Sequence, residues 1–303
     1  MIEEASKRIK EVSQTVAVIE RIQTYIQMLR ERYPDKTLKL DQLRTEELEI
    51  TKSLQEIPSI NKNLQNNPDG VSKVEWQRDR LAHVQLLRQL GNVHIDIGEV
   101  EDKPMEYIRA IGIFETGIVQ CGNELPNELS KYEERKKSAL QLFFKNCIGT
   151  EIPDGYWEDE TKNEKRLKAI RKILKEKILQ IDEEEARNCH TTEITEKERI
   201  IREVARIKNI GAIFKWIMQE MGTFLSSLIQ QSLDLLNFHD DDFALIAFGS
   251  FSRKETTPFS DVEFAVVQNS DDLEMQSEYR ETINKMVMIL HLKFLAFGET
   301  VLP

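Results

Sequence analysis

Cysteine is nearly absent from this 303-residue chain: Cys121, Cys147 and Cys189 are the only three, and they lie far apart. An odd, scattered set builds neither a disulfide framework nor a zinc site, so a reducing compartment is the simpler reading. Glycine (12) and proline (8) are also scarce, which argues against a disordered or all-β chain. No apolar run approaches the roughly 20 residues of a membrane span; Phe243–Phe248, among the longest, is far shorter. The opening Met1-Ile2-Glu3-Glu4 passes straight into charged, periodic sequence and lacks the pattern of a signal peptide. Positive charge is in deficit too, with a formal net charge of −11. Broad nucleic-acid binding is therefore not expected, because it rests on Lys and Arg displacing counterions from phosphates. These absences point to a cytoplasmic protein without a membrane span.

Helical periodicity is what the chain has in quantity. With 40% apolar and 31% charged residues it has room for about two domains. Ile9, Val12, Val16, Ile19, Ile22, Ile26 and Leu29 recur at intervals of three and four, marking one helix face that could pack on neighbours or join a second copy. A second amphipathic segment is expected from Asp41 as N-cap, carrying Leu43, Leu48 and Leu54 and stopping at Pro58. Asn66-Asn67-Pro68-Asp69-Gly70 is turn chemistry and a candidate linker. Helix resumes near Trp76. Leu87–His94 and Gly98, then Ala110, Phe114 and Gly117, resemble one degenerate tetratricopeptide unit with extra residues around Pro104. Small residues there would let paired helices approach closely, but no regular 34-residue period accompanies them.

Ile152-Pro153-Asp154-Gly155 reads as another turn. Lys162–Ile181 is a Lys/Glu-dense helix with Leu167, Ile170, Ile173, Leu174, Ile178 and Ile181 as its apolar face. Its charges are interleaved, as on a solvated surface. Cys189-His190 lacks the partners a metal site needs. Helix then runs from Glu196 to about Leu236.

The character changes near residue 240. Phe243–Phe248 is a continuous apolar run suited to a buried strand, ended by Gly249-Ser250. A second strand is expected over Asp261–Val267. Asp261 and Glu263 stand two apart, so both fall on one strand face. Such a pair is unfavourable without a cation between the carboxylates, and a divalent metal shared with phosphates suits it. Glycine lets backbone approach a phosphate chain, and Ser250 adds a hydroxyl.

The string from Gly249 to Phe264, with Gly249, Ser250, Phe251, Arg253, Glu255, Pro258, Phe259, Ser260 and Asp261 at matching positions, resembles the signature of the nucleotidyltransferase superfamily. It looks most like the uridylyltransferases of nitrogen-regulatory signal proteins. The resemblance implies that Gly249 and Ser250 bind a nucleoside triphosphate, and that Asp261 and Glu263 are catalytic ligands of Mg²⁺ or Mn²⁺. Ser260 is counted with the nucleotide-binding residues, and Arg253 and Lys254 join them on charge and position. Ser252 stands where the family often has glycine, and Glu263 where Asp is commoner. A third carboxylate is not assigned, with Glu299 the nearest candidate. The chain stops at Pro303 in what reads as mid-domain, as a piece of a longer protein would.

The expected architecture is therefore mainly α. Residues 1–70 would form N-terminal amphipathic helices and 71–235 a helical, tetratricopeptide-like region. Residues 236–303 would be a partial α/β nucleotidyltransferase-like domain, with a helix over Ser270–Leu295 and a further strand near Lys293–Phe297. The expected function is metal-dependent transfer of a nucleoside monophosphate to a protein or small-molecule acceptor, with the helices recognising a protein partner. The alternative is a non-catalytic helical interaction protein carrying a degenerate nucleotidyltransferase-like domain.

Overall fold

A computed structural model of the chain describes residues 34–56, 73–189, 195–238, 243–268 and 273–297. The expected N-terminal helix over Ile9–Leu29 and its contact with a second copy, the Asn66–Gly70 turn, His190 and Glu299 lie outside the described residues. Eight helices in the order α1 (Pro34–Glu56), α2 (Lys73–Glu101), α3 (Pro104–Cys121), α4 (Pro126–Phe143), α5 (Tyr156–Cys189), α6 (Glu196–Leu235), α7 (Gly249–Ser252) and α8 (Leu273–Leu295) dominate the described residues. Strands β1 (Phe243–Ala247) and β2 (Phe264–Gln268) form their two-stranded sheet. The fold is mainly α. The chain divides into two compact units, Met1–Leu140 and Gln141–Pro303.

In the first unit, α1 starts at Pro34 rather than at Asp41. Proline is tolerated in a first helical turn because its missing N–H would be unpaired there anyway. Leu43 and Ile50 are buried and Leu54 packs against them, while Leu48 is exposed, so the packed stripe keeps two of the three expected leucines and passes Leu48 by. Glycines set the spacing of the next helices. A Cβ on Gly91 of α2 would overlap the Phe114 ring, and one on Gly117 of α3 would overlap Tyr132. Phe114 and Tyr132 meet edge to face with centroids 6.0 Å apart. The buried Tyr132 hydroxyl donates to the Val84 carbonyl of α2, tying α4 back across α3.

A charged cluster sits at one edge of this unit. His94 Nδ1 lies 2.7 Å from Glu106 Oε2, and Arg44 and Arg109 donate to Glu106 Oε1 at 3.2 and 3.0 Å. Burial disfavours the Glu106 carboxylate, but the His94 hydrogen bond and the charges around it outweigh burial and hold its pKa below the usual value. A carboxylate with a depressed folded pKa stabilises the fold fully above its unfolded pKa of about 4.5, and that stability is lost as pH falls through the folded value. Glu106→Gln should therefore flatten the acid side of the stability profile, read as urea midpoints from about pH 7 down to about pH 3. An unchanged profile would show that another group controls it.

The second unit begins with a π-helical turn, Phe144–Ile148, closed by Gly149 at φ +89°. α5 and α6 then pair as long helices. Thr195 and Glu198 cap α6 reciprocally, the Thr195 hydroxyl accepting from Glu198 N while the Glu198 carboxylate accepts from Thr195 N. Leu167, Ile170 and Leu174 of α5 pack with Ile217, Met221, Phe224 and Leu228 of α6 and with Met286 and Leu290 of α8. Ile173 and Ile178, expected on the same face, are exposed. Ile173 lies between the buried Ile170 and Leu174 and turns off the packed stripe, while Ile178 lies beyond Leu174, the last α5 residue of the core cluster.

The sheet is antiparallel, with Phe243 opposite Gln268 and Ala247 opposite Phe264. Phe243, Leu245, Phe264 and Val266 turn to the helices, whereas Ile246 and Val267 are exposed. The strand expected to be buried on both faces is thus covered on one. No strand forms over Lys293–Phe297: α8 continues through Leu295 and ends in a turn. Lys293, in the last turn of α8, anchors that end of the helix. Its buried ammonium donates to Glu160 Oε1 at 2.7 Å and to Gln231 Oε1 at 3.0 Å, joining α8 to α5 and α6.

Candidate functional site

Gly249 leaves β1 at φ +58°, a left-handed conformation that glycine takes without the Cβ penalty. The one-turn helix α7 follows. Its turn is closed by Ser252 Oγ donating to Gly249 O at 3.0 Å and by Glu255 N donating to Ser250 O at 2.8 Å. Lys254 also has positive φ, +62°, where the chain reverses toward β2.

The returning segment is stapled to itself before it reaches the carboxylates. Thr257 N donates to Ser260 Oγ at 2.9 Å, and Ser260 N donates to Thr257 O at 3.1 Å. Thr256 and Pro258 are buried beneath this turn, while Phe259 is 69% exposed. The Arg171 guanidinium of α5 donates to Pro258 O from Nε at 3.1 Å and from Nη2 at 2.8 Å. It also lies over the Phe259 ring, 4.5 Å from the centroid.

Asp261 and Glu263 precede β2 instead of lying within it, because the ladder ends at the Ala247–Phe264 pair. One more backbone bond, Phe248 N to Glu263 O at 2.8 Å, keeps Glu263 in extended register. Both carboxylates are exposed around a half-buried Val262, the alternation expected of extended backbone. The Glu263 side chain folds over Gly249: a Cβ built there would overlap Oε2 and lie 3.0 Å from Cδ. Gly249 and Glu263 therefore meet at one point. Beside Asp261 a cleft of about 630 Å³ opens, walled by Arg171, Phe224, Phe259, His291 and Phe294 among others.

The remaining nucleotide-binding candidates are placed less centrally. Ser250 follows Gly249 in α7. Arg253 is exposed, its Nε donating to Glu255 Oε2 at 2.9 Å. Lys254 is exposed as well, and the Ser260 hydroxyl is engaged in the turn with Thr257. Arg171 was not among the sequence candidates; it stands 87 residues from its carbonyl partner, and nothing in its helix distinguishes it from the other basic residues.

Among the described residues no three His, Cys, Asp or Glu side chains converge as a metal cluster. Asp261 and Glu263 supply two exposed carboxylates, and no ion pair within 4.0 Å engages either among the described residues. That donor set suits a hard divalent cation which takes its other oxygens from substrate and water.

Comparison with known proteins finds similarity over the residues that carry this geometry. Residues 195–298 match the family model described as "Putative nucleotidyltransferase DUF294". The bifunctional uridylyltransferase/uridylyl-removing enzyme of Pseudomonas syringae pv. tomato is 29% identical over 92 residues, covering 30% of this chain and 10% of that protein. The enzyme of the same name from Pseudomonas aeruginosa strain LESB58 is 29% identical over 94 residues, or 31% and 10% of the two chains. This chain thus spans only about a tenth of the curated relatives it matches. No solved structure matches. Among the described residues no helix is long and apolar enough to cross a membrane. The turn at Gly249, the carboxylates at Asp261 and Glu263, and the helix and strands that carry them all fall within the residues that match this family model, so this part of the chain is similar to a nucleotidyltransferase domain.

Proposed function

We propose that this chain transfers a nucleoside monophosphate from a nucleoside triphosphate to a protein or small-molecule acceptor. The observation that carries the reading is the meeting of Glu263 and Gly249, which unites a glycine turn and a carboxylate strand in one site. Gly249 and Ser250 approach the triphosphate with backbone and hydroxyl. Arg253 and Lys254 add positive charge on the exposed side, and Ser260 shapes the turn that carries Asp261. Asp261 and Glu263 would hold Mg²⁺ or Mn²⁺, which when bound neutralises phosphate charge and favours release of pyrophosphate. The protein's contribution is positioning, as expected for phosphoryl-type transfer in which little covalent chemistry falls to side chains. In this reading residues 236–303 open the transferase domain, and the helices of 1–235 recognise the partner. The acidic composition favours a protein or small-molecule acceptor over a polynucleotide.

Metal removal is the direct test. The full chain is incubated with each α-labelled nucleoside triphosphate, Mg²⁺ or Mn²⁺ and cell extract, with and without chelator, beside an Asp261→Asn/Glu263→Gln double variant. Label should pass to an acceptor with one nucleotide, vanish with chelator, and stay at background in the double variant. Equal labelling in all arms, or no transfer together with no metal-dependent nucleotide binding, would reject the enzyme and favour the non-catalytic interaction protein.

A further inference from the structure

Arg171 lies on α5, outside the matched residues 195–298, yet it holds the loop that bears Asp261. Two of its donors converge on one carbonyl, Pro258 O, and its planar face covers Phe259. The loop needs such a hold. Thr256 and Pro258 are buried and seat its start, but Phe259 beyond them is exposed, and the Thr257–Ser260 bonds are internal to the turn. They fix its shape without fixing its place. Asp261 follows three residues after Pro258, and Arg171, Phe259 and Asp261 line the same cleft.

We propose that Arg171 is a positioning residue of the transferase site, clamping the Pro258–Asp261 loop to α5 so that the Asp261 carboxylate is presented at the cleft. The inference rests on the nucleotidyltransferase reading for what Asp261 does; the clamp itself stands on the hydrogen bonds and the stacked ring. Lysine cannot replace the arginine. It offers a point charge without the planar fork that donates twice and stacks at once.

The test compares the full chain with Arg171→Ala, Arg171→Lys and Phe259→Leu. The last alters an exposed side chain and keeps the question open should loss of Arg171 impair folding. Amide hydrogen exchange across Phe259–Glu263 reads the clamp, and the Mn²⁺ concentration for half-maximal binding of each nucleoside triphosphate reads its consequence. In Arg171→Ala, exchange should rise about tenfold or more at an unchanged unfolding midpoint, and the Mn²⁺ requirement should rise about tenfold. In transfer assays kcat should fall while the nucleotide KM stays within about threefold, as for a group that acts on geometry. Arg171→Lys should recover less than half of either effect, and Phe259→Leu should show both in weaker form. Unchanged exchange in Arg171→Ala and Phe259→Leu overturns the clamp. Raised exchange with an unaltered Mn²⁺ requirement overturns its positioning role. A wild-type chain without metal-dependent nucleotide binding rejects the transferase reading and the positioning role with it, and exchange still decides whether the loop is clamped.

Discussion

Gly249→Ala should lower the proposed nucleotide transfer by about 100-fold or more while leaving the helical units folded. Two effects act at this one position. The backbone is at φ +58°, where a side chain costs on the order of 1–2 kcal/mol. The larger effect is spatial, because the new methyl group would occupy the place of the Glu263 carboxylate. Glu263 is exposed and can swing aside at little cost in stability, but in doing so it leaves the turn it covers. Displacement of a ligand by about 1 Å is enough for a loss of this order. The check is kcat/KM for label transfer beside a urea unfolding curve: a large loss of transfer with a stability change below about 2 kcal/mol is expected. Transfer within a few-fold of wild type would show that the reaction does not need the Glu263 carboxylate at this turn, and its assignment as a ligand there would fall.

Gly117→Ala should be the mirror image, destabilising the first unit by about 2–4 kcal/mol. Here the methyl group meets the buried ring of Tyr132, which has no solvent to move into. Tyr132 is packed on Phe114 and donates to Val84 O, so α3 and α4 must separate or the hydroxyl must give up its acceptor. Overpacking alone accounts for about 1–3 kcal/mol, and the lost buried hydrogen bond adds to it. Tyr132→Phe/Gly117→Ala separates the two contributions in urea titrations. If Gly117→Ala shifts the midpoint no more than a surface substitution, α3 and α4 do not depend on this close approach.

Legibility from sequence followed distance along the chain. The Gly249–Phe264 motif was readable because its parts are contiguous and each residue type has a chemical reason at its spacing. The helices were readable from periodicity, and Gly91 and Gly117 fell where close packing needs them. Apolar spacing says which residues share a face, but it does not say how far along a helix the covering element reaches. Ile178 shares a face with Leu167 and Leu174 yet lies beyond the core cluster, whereas Ile173, between the buried Ile170 and Leu174, is turned off their stripe. Leu48, between the packed Leu43 and Ile50, is likewise turned off the stripe. The start of β2 was misplaced because Asp261 and Glu263 are extended without cross-strand partners in the sheet beyond one backbone bond. Arg171 and Lys293 were hidden for another reason. Each is one basic residue among many, and its partner is remote: Pro258 for the first, Glu160 and Gln231 for the second.

The two-stranded sheet has a consequence for how damage to this protein would look. A lone antiparallel ribbon is marginal in water, and β1 and β2 keep their shape by resting Phe243, Leu245, Phe264 and Val266 on α5, α6 and α8. The ribbon in turn carries Gly249 at one strand end and Glu263 beside the other. The firmness of the chemistry is therefore on loan from helices that would survive its failure. A lesion that frees the ribbon would leave far-ultraviolet circular dichroism, dominated by the long helices, almost untouched. A spectroscopically intact sample of this chain can lack the proposed activity, and quality control should follow backbone protection in β1 and β2 rather than helix content.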